Sequence, residues 1–138
     1  MEKIFLDTSF LFAFYNADDE DHEEAMNLAK ELSDGNMVFV ISDYVVDELL
    51  TLLSSRVGKL RTIKLCNDLI DDIKERFLVL VHIDYEIFID ALQIFIQFKD
   101  KEWSFTDCAS HALIKRYGIN KAISFDEHFR QFGIEILP

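Results

Sequence analysis

Lys3-Ile4-Phe5-Leu6-Asp7-Thr8-Ser9 sets the class of the whole chain. The run from Lys3 to Leu6 ends in three large apolar side chains and shows no polar alternation. That pattern suits a strand covered on both faces, as in a parallel sheet sandwiched by helices, rather than a strand with one wet face. The run stops at Asp7, and Thr8-Ser9 lead into Phe10 to Tyr15, a short apolar helix. Similar runs recur at Met37 to Ile41, Phe77 to Ile83 and Ala122 to Phe125, with Ile134 to Leu137 as an edge candidate.

Helical signals fill the intervals. Asn16 to Glu24 is a strongly acidic approach to a helix carrying Ala25, Leu28, Ala29 and Leu32, which Asp34-Gly35 stops. Ser42 caps a helix with Val45, Val46, Leu49, Leu50, Leu52 and Leu53, broken by Gly58. Leu60 to Glu75 carries an apolar stripe at helical spacing, and Asp84 opens a further helix with Ile87, Phe88, Ala91, Leu92, Ile94 and Phe95. Trp103-Ser104-Phe105-Thr106-Asp107-Cys108-Ala109-Ser110-His111-Ala112-Leu113 reads as a loop feeding an apolar helix that ends at Tyr117-Gly118. A short helix is expected over Glu127 to Phe132. Strands alternating with helices predict an α/β fold, with parallel strands near residues 3–7, 37–41, 77–83 and 121–125. Right-handed crossovers then place helices on both faces. A length of 138 residues predicts one domain over 1–138, without linker or repeat.

Composition narrows the setting. Thirteen Phe supply apolar volume, while one Pro and four Gly are too few for a turn-rich all-β domain. Cys66 and Cys108 stand in apolar helical patterns without metal-ligand spacing, as thiols of a reducing compartment do. No apolar run reaches membrane-spanning length and no leader pattern opens the chain, so a soluble cytoplasmic protein without membrane contact is expected. The net charge of -12 opposes nucleic-acid binding on average. It does not describe each face, and the basic residues gather in two groups: Arg56, Lys59, Arg61, Lys64, and Lys99, Lys101, Lys115, Arg116, Lys121.

In sheets of this kind ligands bind beyond the carboxyl ends of the strands, where strand order switches direction. Asp7 follows strand one and Asp126 follows strand four. Glu48 lies early in the helix after strand two, and Asp107 lies in the first turn of the helix that runs down to strand four. If strands one and four are neighbours, the two strand-end acids meet. Each acid also has an ordinary explanation: Asp7, Asp107 and Asp126 as helix caps, Glu48 as a surface partner of Arg56. Converging carboxylates raise one another's pKa and call for a counter-charge. An all-oxygen set with no nearby His or Cys except Cys108 and His128 suits Mg²⁺, with Mn²⁺ as a substitute, better than zinc. A cation so held lowers the pKa of bound water and stabilises displacement at phosphorus. The four histidines, His22, His82, His111 and His128, show no triad spacing.

Four stretches together resemble the PIN-domain ribonucleases, above all VapC-like toxins and stand-alone PIN proteins. They are Ile4-Phe5-Leu6-Asp7-Thr8-Ser9, Val45-Val46-Asp47-Glu48-Leu49-Leu50, Trp103-Ser104-Phe105-Thr106-Asp107-Cys108-Ala109 and Ile123-Ser124-Phe125-Asp126-Glu127-His128-Phe129. The resemblance implies a three-layer α/β/α fold with strand order 3-2-1-4-5. It implies metal-holding acids at Asp7, Glu48, Asp107 and Asp126, with Asp7 and Asp107 the most direct, and a supporting hydroxyl at Thr8 or Ser124. It further implies a Mg²⁺-dependent endoribonuclease acting on single-stranded RNA, the toxin of a type II toxin–antitoxin pair, an antitoxin partner and a homodimer. The acidic stretch Asp18 to Glu24 departs from a broad basic RNA path.

Two other classes stand beside this expectation. One is a non-catalytic PIN-like module that binds metal, RNA or a partner. The other is a different acid-site α/β protein. A phosphohydrolase with an Asp nucleophile wants an acid where Ser9 stands, and a receiver domain wants paired acids after strand one, where Asp7 is alone. Aromatic helical faces at Phe10, Phe12, Phe14, Tyr15, and at Phe88, Phe95, Phe98, suggest self-association.

Overall fold

The computed structural model describes residues 1–138. Its elements run β1 (Glu2–Leu6), α1 (Thr8–Tyr15), α2 (His22–Ser33), β2 (Met37–Ser42), α3 (Asp43–Val57), α4 (Lys59–Lys74), β3 (Leu78–Val81), α5 (Tyr85–Gln97), α6 (Phe105–Arg116), β4 (Lys121–Ile123), a 3₁₀ segment Glu127–Phe132, and β5 (Glu135–Leu137). The five strands form one sheet in the order β3-β2-β1-β4-β5. Every pairing is parallel. The α/β class and the parallel sheet are therefore as expected from the sequence pattern, and the strand order is the one that the family resemblance implies.

The apolar run in β1 is explained by its central place. Ile4, Phe5 and Leu6 are fully buried, with β2 on one side and β4 on the other. The chain moves outward from β1 to β3 and then returns across the sheet to β4. Right-handed crossovers therefore divide the helices between the two faces. α1 packs on α2 and α3, and α3 on α4, while α5 packs on α6. The reversal in strand order falls between β1 and β4, where Leu6 pairs with Ile123. The next residues, Asp7 and Ser124, leave the sheet side by side, and the Asp7 N–H still donates to the Ile123 carbonyl at 3.1 Å.

Two expectations change. β4 ends at Ile123 rather than running to Phe125. The amides of Phe125 and Asp126 donate to the Ser9 and Ser124 hydroxyls, at 2.9 and 3.0 Å, so side chains claim the donors that a longer strand would use. Asp126 consequently stands on a turn beyond the strand. The aromatic face of α1 is also not free: Phe10, Phe12 and Tyr15 are buried. Exposed apolar residues lie instead on α5, where Phe95 is 53% and Ile96 73% exposed beside Leu92, and on α4, at Leu60, Ile63 and Ile70. Cys66 is half-buried and Cys108 buried, both as free thiols. No helix is long and apolar enough to cross a membrane.

Candidate active site

Asp7 is the deepest acid of the sheet edge, 4% exposed. It occupies the N-cap position of α1, yet its side chain makes no capping hydrogen bond. Two hydroxyls hold it instead. Ser124 Oγ donates to Asp7 Oδ2 at 2.7 Å and Ser9 Oγ to the same oxygen at 3.0 Å. Burial pushes the Asp7 carboxyl up to about 6, the negative charge of Asp107 adds to this, and the hydroxyls of Ser124 and Ser9 and the Thr8 backbone N–H oppose it. Removal from water penalises the charged form, and hydrogen bonds to that form favour it.

Asp107 is half-buried in the first turn of α6. Its ordinary role is fully present. The Ser104 hydroxyl accepts from the Asp107 N–H at 3.1 Å, and Asp107 Oδ2 accepts from the Ser104 N–H at 3.0 Å, a complete reciprocal cap. The cap uses one carboxylate oxygen and leaves Oδ1 without a protein hydrogen bond. Burial also pushes the Asp107 carboxyl above its ordinary value, and the charges of Glu48 and Asp126 push it the same way. Asp107 is thus the electrostatic hub: it feels Glu48 and Asp126, and Asp7 feels it.

Asp126 caps the 3₁₀ segment, its Oδ1 accepting from the His128 N–H at 2.9 Å, which leaves Oδ2 free. Glu48, on α3, is half-buried and makes neither a hydrogen bond nor an ion pair, so its ordinary explanation as a surface partner of Arg56 does not hold. The starts of α3, α5 and α6 are braced by an aromatic cluster. Phe88 meets Phe105 edge to face with ring centroids 5.3 Å apart, and Tyr44 lies tilted against Phe105 at 5.9 Å. That packing ties the helix bearing Glu48 to the helix bearing Asp107.

The edge therefore gathers the four acids in one electrostatic field, but it does not close them into a finished ligand set. No group of three or more His, Cys, Asp or Glu side chains stands at ion-holding spacing. The donor chemistry nonetheless fits a hard cation. The groups are all carboxylates, and Glu48, Asp107 and Asp126 each keep an oxygen without a protein partner. The Thr8 hydroxyl, buried without any hydrogen-bond partner, adds one more unused oxygen beside Asp7.

Residues 4–135 match the PIN domain. The chain belongs to the PIN-domain family. It is 29% identical over 136 residues to the "23S rRNA-specific endonuclease VapC20" of Mycobacterium tuberculosis, with 98% of each chain covered. The crystal structure of VapC20 from Mycobacterium tuberculosis, described as a sarcin–ricin loop cleaving toxin, matches with a TM-score of 0.81 at 28% identity over 95% of both chains. A DNA-bound VapBC complex from Salmonella typhimurium shares the fold, with a TM-score of 0.70 at 19% identity over 99% of this chain and 98% of that one.

Within this PIN domain the residue that sequence reasoning missed is Ser9. Its hydroxyl touches Asp7 and Ser124, and accepts from the Phe125 N–H. In the sequence it reads as an ordinary helix-start serine. Only the β1–β4 pairing brings it to residues 124 and 125. Three other histidines have structural partners: His22 Nδ1 meets the Ala13 carbonyl at 2.8 Å, His82 Nδ1 meets Asp43 Oδ2 at 3.3 Å, and His111 stacks on Phe132 at 4.8 Å.

Proposed function

We propose that this PIN domain is a divalent-metal-dependent endoribonuclease, and the toxin half of a toxin–antitoxin pair. The observation that carries the reading is the match of residues 4–135 to the PIN domain, together with a buried Asp7 at the switch point of the sheet. Asp7 and Asp107 would hold Mg²⁺ or Mn²⁺, with Glu48 and Asp126 completing the set or orienting water around it. When bound, the ion supplies positive charge toward a phosphodiester and acidity to its water. The chain's own part is placement. The hydroxyls of Ser9 and Ser124 fix the Asp7 rotamer, and the Ser104 cap fixes Asp107. Glu48, free of protein hydrogen bonds, is available to accept one from water.

The substrate we assign is RNA presenting an unpaired loop. The full-length similarity to a 23S rRNA-specific endonuclease makes a sarcin–ricin-type stem-loop the first substrate to test. The partner we assign is a cognate antitoxin, and the α5 row Leu92, Phe95 and Ile96 is the face we assign to a homodimer. A monomeric mass by light scattering at tens of micromolar would remove the dimer. The function itself is tested by incubating the protein with that stem-loop, tRNA and an unstructured RNA, with Mg²⁺, with Mn²⁺ and with EDTA. Site-specific cleavage that needs the cation supports the assignment. Cleavage that survives EDTA overturns the metal. Metal binding without cleavage of any RNA would favour the non-catalytic module instead.

A further inference from the structure

We infer that Ser9 is a positioning residue of this centre: together with Ser124 it clasps the Asp7 carboxylate to the turn that presents Asp126. The inference rests on the metal-holding role proposed for these acids and adds a residue to it. The hydrogen bonds form two parallel links. In one, the Asp126 N–H donates to Ser124 Oγ at 3.0 Å, and Ser124 Oγ donates to Asp7 Oδ2 at 2.7 Å. In the other, the Phe125 N–H donates to Ser9 Oγ at 2.9 Å, and Ser9 Oγ donates to the same Oδ2 at 3.0 Å. The two hydroxyl oxygens stand 3.1 Å apart; with both protons given to Asp7 this is a contact and not a third hydrogen bond.

Each hydroxyl has a single proton, and the N–H it receives leaves that proton for Asp7. Two consecutive amides of the turn are thus connected to one carboxylate oxygen. The turn carrying Asp126 cannot shift along the sheet edge without breaking a link on both sides. Asp7 cannot rotate without losing both hydroxyls. With Oδ2 so occupied, Oδ1 is the oxygen left to Asp7 for an outside ligand.

A serine at a helix start is most often a local turn element, bonding its own neighbours. Here the partners of Ser9 include Ser124 and Phe125, at sequence separations of 115 and 116. Ser9 rides on α1, so it joins the helix after β1 to the turn after β4. Nothing else in the hydrogen-bond pattern makes that connection from α1. Removing the hydroxyl leaves the Phe125 N–H without its partner and Asp7 with one donor in place of two.

The test uses the full chain with Ser9→Ala, Ser9→Thr and Ser9→Cys, and three readouts. These are thermal melting in EDTA, amide hydrogen exchange at Phe125 in metal-free protein, and Mn²⁺ affinity by calorimetry. Groups that orient a metal's ligands matter about 10- to 100-fold in affinity. Ser9→Ala is expected to fold, to exchange the Phe125 amide faster while β1 amides stay protected, and to bind Mn²⁺ at least about ten-fold more weakly. Ser9→Thr, which keeps the hydroxyl, restores both values. Wild-type Mn²⁺ affinity in Ser9→Ala overturns the inference and leaves the proposed function standing. Equal weakening in Ser9→Thr assigns the effect to packing and overturns it too. If Ser9→Ala does not fold, Ser9→Cys takes its place, and wild-type affinity there is equally fatal. Wild-type protein that neither binds Mn²⁺ nor cleaves RNA brings down the function and this inference together.

Discussion

Acid is concentrated in two regions of the molecule, and they are built on different logic. On α4 and at its C-cap, Asp68, Asp71, Asp72 and Glu75 follow one helical face, and Tyr15 donates to Asp72 at 2.5 Å. Helix periodicity alone puts those side chains together, and Asp68, Asp71 and Glu75 stand in solvent that screens them. At the sheet edge the acids come from four separate segments that only the fold brings together. There burial is the largest cause of the raised Asp7 and Asp107 carboxyls. Acid density therefore does not separate a site from a solvated face. Convergence from distant segments combined with loss of water does. The α4 region shows its own use of burial: the Tyr15 phenol is pushed well up by burial and by Asp72, so it remains a donor that anchors α1 to α4.

The sharpest way to break this contrast is to neutralise one acid in each region. Asp7→Asn and Asp107→Asn should take RNA cleavage to background with the fold intact, while Asp71→Asn leaves it unchanged. Asp47→Asn is the stricter control, because Asp47 is exposed and lies about 100° round the helix from Glu48. An Asp47 variant as inactive as Asp107→Asn would sink the assignment.

A second contrast concerns pH. Asp7 sits near 6 in the folded protein against an ordinary 3.8. Above about 6 the folded state carries the cost of a buried charge. As pH falls from 6 toward 4 the folded protein takes up a proton that the unfolded chain does not yet hold, so this cost is relieved. In EDTA at pH 7.5, Asp7→Asn should therefore melt above wild type, by at most about 3 kcal/mol in stability. The advantage should fade by pH 4. An advantage that grows as the pH falls would contradict the burial of Asp7. The corresponding Asp71→Asn comparison should show no such pH-dependent gain.

Cation addition sharpens the same point. Ligand at about 100 times its Kd stabilises a folded protein by about 2.7 kcal/mol. Mg²⁺ should raise the melting temperature of wild type and of Asp71→Asn alike, and that of Asp107→Asn much less. The smallest effect expected is that of Ser104→Ala, which removes the α6 cap. A cap of this kind contributes about 1 kcal/mol, so melting should fall modestly. Cleavage should fall further than that loss explains, because the cap also orients Asp107.

How far this could be read in advance follows from the kind of signal each residue carries. Ile4-Phe5-Leu6 announced a central parallel strand because burial on both faces erases alternation. Asp7 and Asp126 stand out as candidates because each follows a strand, Asp107 because it lies in the first turn of α6, and Glu48 because it lies early in α3, positions that the topology rules place near the sheet edge. Ser9 could not, since a hydroxyl near a helix start is locally ordinary and its partners are over a hundred residues away. The end of β4 is illegible for a related reason: propensity does not register hydroxyls that capture two amides. α1 misled differently. An eight-residue helix with six buried residues is covered nearly all round, and aromatic content alone cannot distinguish such coverage from an exposed face.

Trp103 is the chain's one tryptophan. It lies immediately before the Ser104 cap of α6, and its indole N–H donates to Gln131 at 3.1 Å. Its ring packs edge to face against Phe132, with centroids 5.0 Å apart. The molecule thus carries a built-in optical probe, wedged between the helix that bears Asp107 and the segment that Asp126 caps. Any ligand that draws those two parts together or apart changes the surroundings of a single chromophore. Emission can then be followed without labels, free of background from a second indole.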